Sequence, residues 1–247
     1  MHYKKLTIIG TSHIARQSLN EIEAAFRQNT PGVVAVELDR KRLHSLLADE
    51  RSNVGLKDIA RIGFKGYLFA TIGGWLQRKL GSIVGVMPGS EMKLAVELAG
   101  KSGAKVALID QDIEITLKKF SQKLSWKEKF RFIGDLFKSL FFRKKAMKEL
   151  GLKDEKIDLS KVPDKELVRK LIKQLEKRYP NVYDVLVRQR NKVMANNLAK
   201  LLLRFPDENI LAVVGAGHEE ELLKMIKKRV EGKADGVSSR ADPEKAL

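Results

Sequence analysis

I-L-A-V-V-G-A-G-H, residues 210–218, is an apolar run that stops at glycine and ends in a histidine three residues later. L-T-I-I-G-T-S-H, residues 6–13, has the same form, so two of the four histidines in the chain follow an apolar run with one Gly-x-x-His spacing. Short β-branched apolar runs that end at glycine are typical of strands. We therefore expect two strands of one sheet, with His13 and His218 at their carboxyl ends.

Strands and helices alternate along the chain. Predicted strands at 6–9, 33–37, 105–109 and 210–214 are each followed by a helical pattern, at 14–27, 40–50, from 113, and at 219–230. This alternation indicates parallel strands joined by helical crossovers. The fold class that we expect is α/β, with a mainly parallel central sheet flanked by helices.

Two long helical tracts interrupt this alternation. The first, about 52–88, is apolar and punctuated by glycine, and Pro88 and Gly89 separate it from a predicted helix at 90–101 that Ser90 would cap. The second runs from about 116 to 205. We expect both to be insertions in a single α/β domain over residues 1–231, followed by a polar tail at 232–247.

Composition narrows the function classes. The 247 residues include no cysteine, which excludes disulfides, thiolate catalysis and zinc sites built on sulfur. A metal would have to be held by histidine and carboxylate. The N-terminus has no signal-peptide pattern, and the longest uncharged run, 66–77, is far shorter than the roughly 20 residues that span a bilayer. We expect a soluble cytoplasmic protein, and the abundance of Lys and Glu suggests a thermophile.

The net charge of +17 is concentrated in one segment. Residues 118–148 hold eleven basic residues against two acidic ones, with Phe130, Phe137 and Phe141 spaced as on one helix face. Such a helix could attach peripherally to an anionic membrane surface. It could instead pack on the core, or on a second subunit in a homodimer formed through the helical insertions. Nucleic acid is the partner that we expect least.

Residues that can do chemistry follow each predicted strand. In a parallel sheet these side chains emerge at one edge, where two imidazoles and several carboxylates could bind a divalent metal or transfer protons. Glycines at the same positions allow a sharp exit from the strand and a close approach of backbone or ligand. The candidates are Gly10, Ser12, His13, Glu37, Asp39, Asp110, Gly215, Gly217 and His218.

Each candidate also has a structural interpretation. A single Gly-x-x-His is typical of a simple turn. Asp39 fits an N-cap of the helix from residue 40, and Asp110 could bind an arginine. Glu91 lies in the first turn of the helix at 90–101, where the positive helix end favours a carboxylate. Arg188 and Arg190 share a predicted helix, on which either could clamp a carboxylate or simply face solvent.

A nucleotide site is not expected. G-T-S-H-I-A at residues 10–15 lacks the second and third glycines of the dinucleotide motif. No G-x-x-x-x-G-K-[ST] phosphate loop occurs anywhere in the chain.

Six ordered blocks resemble one known family. They are G-T-S-H, V-E-L-D-R-K-R, P-G-S-E-M, D-Q-D-I-E-I-T-L-K-K, Q-R-N-K-V-M-A and V-V-G-A-G-H, across residues 5–230. The chain resembles the TraB/PrgY family, which is related to GumN and the Tiki proteins. The resemblance implies an α/β fold shared with erythromycin esterase and ChaN-like proteins. It also implies a site of His13, Glu37, Arg190 and His218, with Glu91 and Asp110 as further acids.

The resemblance also implies an activity. Tiki-like members are metal-dependent peptidases that favour manganese or cobalt, and PrgY-like members shut down peptide pheromone signalling. We therefore expect a hydrolase with manganese, cobalt or zinc held by His13, Glu37 and His218, an acid such as Glu37 or Glu91 as base, and Arg190 on an anionic group. The alternative is a binding protein that sequesters a peptide or another ligand in the same pocket without turnover, either free or associated with a membrane.

This sequence departs from the family pattern in two places. Gln189 stands where the family usually has an acid before the Arg-Asn pair, so any role of that acid is lost. Many relatives also carry transmembrane helices after the domain, and no such segment follows residue 231 here.

Overall fold

The computed structural model describes residues 1–11, 16–48, 89–125, 127–128 and 165–237, and the single positions 60, 67, 71, 131 and 135. Ser12, His13, most of the predicted insertion 52–88, and Phe130, Phe137 and Phe141 lie outside the described residues. The strands are β1 (His2–Tyr3), β2 (Leu6–Thr11), β3 (Val33–Val36), β4 (Lys105–Leu108) and β5 (Ile210–Gly215). The helices are α1 (Arg16–Gln28), α2 (Arg40–Leu47), α3 (Ser90–Ser102), α4 (Ile113–Lys123), α5 (Lys165–Arg178), α6 (Pro180–Tyr183), a π-helical turn (Asp184–Arg188), α7 (Gln189–Arg204) and α8 (Ala216–Val237).

The central sheet has the order β1-β2-β5-β3-β4. β1 runs antiparallel to β2, and all other neighbours are parallel, which confirms the α/β class. β5 lies in the middle and every one of its residues is buried. A strand covered on both faces must be apolar throughout, which is the physical reason for the run I-L-A-V-V-G.

Helices cover both faces of the sheet. On one face, Ile22 and Phe26 of α1 and Met92 of α3 pack against Val34 and Val213. The opposite face packs against α7 and α8, through the buried side chains Met194, Leu198, Leu222 and Ile226. The sheet is therefore the middle layer of a three-layer structure. No helix among the described residues is both long and apolar enough to cross a membrane.

Three features of the secondary structure differ from the sequence-based expectation. β1 was not expected, because two residues are too short to show an apolar pattern. Gly89, with φ 86°, is the N-cap of α3, so the prediction that Ser90 caps this helix is wrong. α8 starts directly after β5 at Ala216 and continues to Val237, past the expected end of the domain at residue 231.

The carboxyl edge of the parallel strands collects many helix N-termini. α2, α4 and α8 begin there because each follows a strand. α3 and α7 run toward the starts of β4 and β5, so their N-terminal ends lie at the same edge. Since the N-terminus of a helix carries a partial positive charge, this edge favours carboxylates.

The basic segment 118–148 is described only in part. Asp135 pairs with Arg178 at the end of α5, and Arg131 Nη1 donates to the Arg178 carbonyl at 2.6 Å. At these two positions the segment contacts α5. Attachment to an anionic membrane stays a prediction.

Candidate functional site

Four of the residues singled out in the sequence come together at the carboxyl edge. Glu37 follows β3, Asp110 follows β4, His218 lies in the first turn of α8, and Arg190 lies in the first turn of α7. All four are connected by hydrogen bonds or ion pairs. This convergence confirms that these strand ends share one edge.

Arg190 is the centre of this group. Its Nε lies 3.2 and 3.1 Å from the two carboxylate oxygens of Asp110, and its Nη2 lies 2.6 Å from Asp110 Oδ2. Nη2 also donates to Glu37 Oε1. Nη1 donates to the Leu186 carbonyl at 3.3 Å, inside the π-helical turn, a turn type that often occurs at functional sites. The two carboxylates raise the pKa of Arg190 despite its burial, so the guanidinium is a permanent cation.

Glu37 and His218 face each other beside this cation. His218 Nε2 lies 3.5 Å from Glu37 Oε1 and 3.4 Å from Arg190 Nη1. Glu37 is only 5% exposed, and its other oxygen accepts from the Gly215 backbone N–H at 2.6 Å. The last residue of β5 therefore holds the carboxylate of Glu37, and the first turn of α8 presents the imidazole of His218 to it.

Two further residues, Asn191 and Glu221, orient His218. His218 Nδ1 lies 2.7 Å from Asn191 Oδ1, and Asn191 Nδ2 donates to Glu221 Oε2 at 2.8 Å. Tyr183 also donates its hydroxyl to Glu221 Oε2, at 3.2 Å. Both ring nitrogens of His218 thus have partners on α7, Asn191 at Nδ1 and Arg190 at Nε2.

The glycines at this edge allow close packing. A Cβ on Gly10 would lie 2.7 Å from Glu219 Oε2 and 3.1 Å from Ala216 Cα, and one on Gly217 would lie 3.1 Å from Ile172 Cδ1. Gly10 pairs with Val214 in the sheet, so it lets β2 pass directly under the first turn of α8. The close approach is to backbone and side chain of the protein itself. Gly215 to His218 continue from strand into helix without a separate turn, so the interpretation as a simple turn is wrong for the motif that ends at His218.

Asp39 accepts hydrogen bonds from the first turns of two helices at this edge, α2 and α4. Its Oδ1 accepts from the N–H groups of Lys41 and Arg42 at 2.9 and 3.0 Å, which confirms the predicted N-cap of α2. Its Oδ2 accepts from Arg42 Nε at 2.7 Å and from the Ile113 N–H at 3.1 Å. Arg42 Nη2 in turn pairs with Asp110. Asp110 is therefore shared by Arg42 and Arg190, as its structural interpretation required.

Asp39 makes stability depend on pH. Burial raises its pKa, but the Arg42 N–H, the charge of Arg42 and the Ile113 N–H together lower it below the usual value of 3.8. A carboxyl with a depressed folded pKa adds stability above its unfolded pKa, and that stability is lost as pH falls through the folded value. We expect Asp39→Asn to be less stable than wild type at pH 7, with the difference narrowing below about pH 4. Urea unfolding of both proteins from pH 7 to 2.5 measures this, and a constant difference would contradict it.

Glu91 lies in the first turn of α3 and is 1% exposed. The direction of α3 places this carboxylate at the same edge as Glu37 and Asp110. The helix end favours its charge, as its structural interpretation proposed. Such a deeply buried carboxylate is also a candidate for proton transfer.

Arg188 has the surface role that was one of its two interpretations. Its side chain is 42% exposed and pairs with Glu176 at 2.7 Å. Gln189 Nε2 donates to Asp184 Oδ2 at 2.7 Å, so the residue that replaces the usual acid bonds to the π-helical turn just before α7. Of the two predicted arginines, Arg190 alone belongs to the cluster of Glu37, Asp110, Arg190 and His218.

The described residues offer two candidate donor atoms for the expected metal. In the part of the chain that the structure describes, no group of three His, Asp or Glu side chains could hold one ion. Glu37 Oε1 and His218 Nε2, 3.5 Å apart, offer two donor atoms. Two ligands of one tetrahedral ion lie about 3.4 Å apart when each is ~2.1 Å from it, so this pair fits. His13, the expected third ligand, follows Thr11 by two residues, and Thr11 pairs with Gly215 in the sheet.

Sequence reasoning missed Arg42, Asn191 and Glu221. Each had a local signal: Arg42 lies three residues after the cap Asp39, Asn191 follows Arg190, and Glu221 lies one helical turn after His218. Residues three apart on a helix share a face. For Asn191 and Glu221, the sequence signal indicates a role at the site only once the packing of α7 against α8 is known.

A cavity of about 1100 Å³ adjoins the site. It lies between α1, β2, α5 and the start of α8, and its wall includes Gly10, Ile172, Gly217, Glu221 and Tyr183. Glu221 therefore connects the cavity to the chain of hydrogen bonds that ends at His218.

Comparison with known proteins identifies one family model and several similar proteins. The family model described as TraB/PrgY/gumN matches residues 2–229. An uncharacterised protein of Methanocaldococcus jannaschii is 36% identical over 227 residues, which are 91% of this chain and 54% of that protein. TraB domain-containing proteins of Mus musculus and Homo sapiens are each 23% identical over 238 residues, covering 87% of this chain and 60% of the relative. The chain thus spans little more than half the length of these relatives. Its match to the family model runs through every element of the site, and the chain belongs to the TraB/PrgY/gumN family.

Proposed function

We propose that this chain is a metal-dependent hydrolase that cleaves a peptide or a similar amide. The observation that carries the proposal is the facing pair of Glu37 Oε1 and His218 Nε2, 3.5 Å apart beside a permanent cation. The far side of each group is already held, Glu37 by the Gly215 N–H and His218 by Asn191. Metal ligands in proteins are usually oriented in this way, by hydrogen bonds to the polar atoms that do not contact the metal.

Glu37, His218 and His13 would hold the cation, which we expect to be manganese, cobalt or zinc. Imidazole and carboxylate suit all three metals, and the chain has no cysteine that would select a softer ion. When bound, the metal would supply Lewis acidity, which acidifies water and polarises a carbonyl.

The other residues have separate roles in this proposal. Arg190 donates to Asp110 through Nε and Nη2, so Asp110 fixes the orientation of the guanidinium without help from Glu37. A fixed guanidinium stabilises negative charge that develops on a carbonyl oxygen. Glu37 lies against Arg190 and remains a carboxylate ligand, and we assign proton transfer to Glu91 at the same edge. Proton transfer by a positioned carboxylate contributes about 10²–10⁴-fold to a rate.

The test is hydrolysis of peptides with manganese, cobalt or zinc supplied one at a time, and again after chelation. We expect wild type to release product only with metal, and His13→Ala and His218→Ala to be inactive, since each loses a ligand. His44→Ala is the matched control, because His44 is a histidine in the last turn of α2 that is not a proposed ligand. Equal activity in wild type and both ligand variants would end the proposal.

One observation favours a second function. The Arg190 guanidinium already bridges Glu37 Oε1 and His218 Nε2, so the cluster is complete without any metal. A protein that sequesters a peptide or another ligand at this cluster would need no more than this. It would bind its ligand with an affinity that survives chelation, and it would release no product. The same assay, with bound and cleaved peptide measured separately, distinguishes the two functions.

A further inference from the structure

Asn191 is fully buried between His218 and Glu221. Its Nδ2 faces Glu221 Oε2 at 2.8 Å and its Oδ1 faces His218 Nδ1 at 2.7 Å. A carboxylate only accepts hydrogen bonds, so the amide must turn its NH₂ group toward Glu221. The amide oxygen then faces the imidazole, and an oxygen can only accept. His218 Nδ1 must therefore carry the hydrogen.

The reverse orientation of this amide is unfavourable. It would place Asn191 Oδ1 against the carboxylate of Glu221, two acceptors within 3 Å of each other. Tyr183 reinforces the observed orientation. Its hydroxyl donates to the same oxygen of Glu221, and burial, followed by the charge of Glu221, raises the pKa of Tyr183 to about 12. Glu221 thus receives two donors and offers none.

We propose that Glu221, acting through Asn191, fixes His218 as the tautomer with its hydrogen on Nδ1. Glu221 and Asn191 are then positioning residues, and Nε2 keeps its lone pair toward Glu37 and Arg190. The role of that lone pair as a metal ligand rests on the proposed function, whereas the tautomer does not. His218 and Glu221 lie three residues apart on α8, so one helix face carries both the ligand and the residue that sets its protonation.

The tautomer can be observed directly by NMR. With ¹⁵N-labelled histidine, long-range ¹H–¹⁵N correlation spectra at about pH 8.5, where imidazole is neutral, distinguish an Nδ1–H ring from an Nε2–H ring. The chain has four histidines, and the signal lost in His218→Ala identifies His218. We expect wild type, free of metal, to show the Nδ1–H form. An Nε2–H ring at His218 would overturn the proposal without any variant.

The variant Glu221→Gln tests whether Glu221 sets the tautomer of His218. A glutamine can donate as well as accept, so Asn191 becomes free to reverse, and we expect the His218 signal to shift toward the Nε2–H form. Glu220→Gln is the matched control, because Glu220 pairs with Lys224 and Arg169 outside this chain of bonds, and it should keep the wild-type signal. A full Nδ1–H signal in Glu221→Gln would overturn the proposal.

Metal titration separates this inference from the proposed function. If His218 Nε2 is a ligand, Glu221→Gln should bind manganese or zinc about 10–100-fold more weakly than Glu220→Gln, the loss typical of an outer-shell partner. A wild-type protein that shows the Nδ1–H tautomer but binds neither metal would refute the proposed function alone.

Discussion

Replacing Arg190 by methionine is expected to lower the free energy of unfolding by about 3–5 kcal/mol, the usual cost of removing one partner of a buried ion pair. The guanidinium is the cation between Glu37, which is 5% exposed, and Asp110, whose side chain is 1% exposed. Methionine fills a similar volume but leaves both carboxylates without that charge. Urea unfolding at neutral pH measures the loss.

Arg188→Met is the matched control for this experiment. Arg188 lies two residues earlier, but it is 42% exposed and pairs with the exposed Glu176, and exposed ion pairs contribute about 0–1 kcal/mol. Adding Glu37→Gln and Asp110→Asn to Arg190→Met should recover part of the loss, because neutral side chains need no counter-ion. A loss in Arg190→Met that matches the loss in Arg188→Met would show that the cluster is not held by its central cation.

The architecture explains how so many carboxylates can be buried together. Helices begin close to all four buried carboxylates. The last backbone N–H of β5 bonds Glu37, and an N–H in the first turn of α2 bonds Asp39. The four are Glu37, Asp39, Glu91 and Asp110. Each helix start adds partial positive charge. With Arg42 and Arg190 added, the edge holds a charged cluster that would be too costly in an apolar core.

The strands and their chemistry were predictable because they depend on local pattern. The four main strands lie within two residues of their predicted bounds, since a short apolar run ending at glycine or a charge needs no long-range information. Glu37, Asp110 and His218 were found for the same reason. That Arg190 reaches them came from the family resemblance, because its helix is far from β3 along the chain.

The order of the strands and the support of His218 were not predictable in this way. β5 inserts between β2 and β3, and a crossover of this kind leaves no local pattern. Asn191 and Glu221 looked like ordinary polar helix residues until α7 packed on α8. Ser90 was expected to cap α3 because serine is a common N-cap. Gly89 takes that position with φ 86°, in the left-handed region that favours glycine.

The second large effect concerns the separate roles of the Glu37 and Glu91 carboxylates. We expect Glu37→Gln to weaken metal binding by more than the ~10–100-fold that loss of an outer-shell partner causes, because it removes a ligand. Glu91→Gln should leave metal affinity near the wild-type value but lower kcat by about 10²–10⁴-fold, the contribution of a positioned proton-transfer group. Calorimetric titration with manganese and steady-state peptide hydrolysis measure the two quantities separately.

The two variants serve as controls for each other. Both change a carboxylate to its amide, both sites are at least nine-tenths buried, and both lie at the carboxyl edge of the sheet. A general loss of folding would lower metal affinity and turnover in parallel, and circular dichroism under the assay conditions would detect it. If Glu91→Gln loses metal and Glu37→Gln keeps it, the roles are reversed, because the ligand must be the carboxylate whose loss releases the ion. If both variants keep metal and turnover, neither carboxylate takes part, and the cluster around Arg190 is structural.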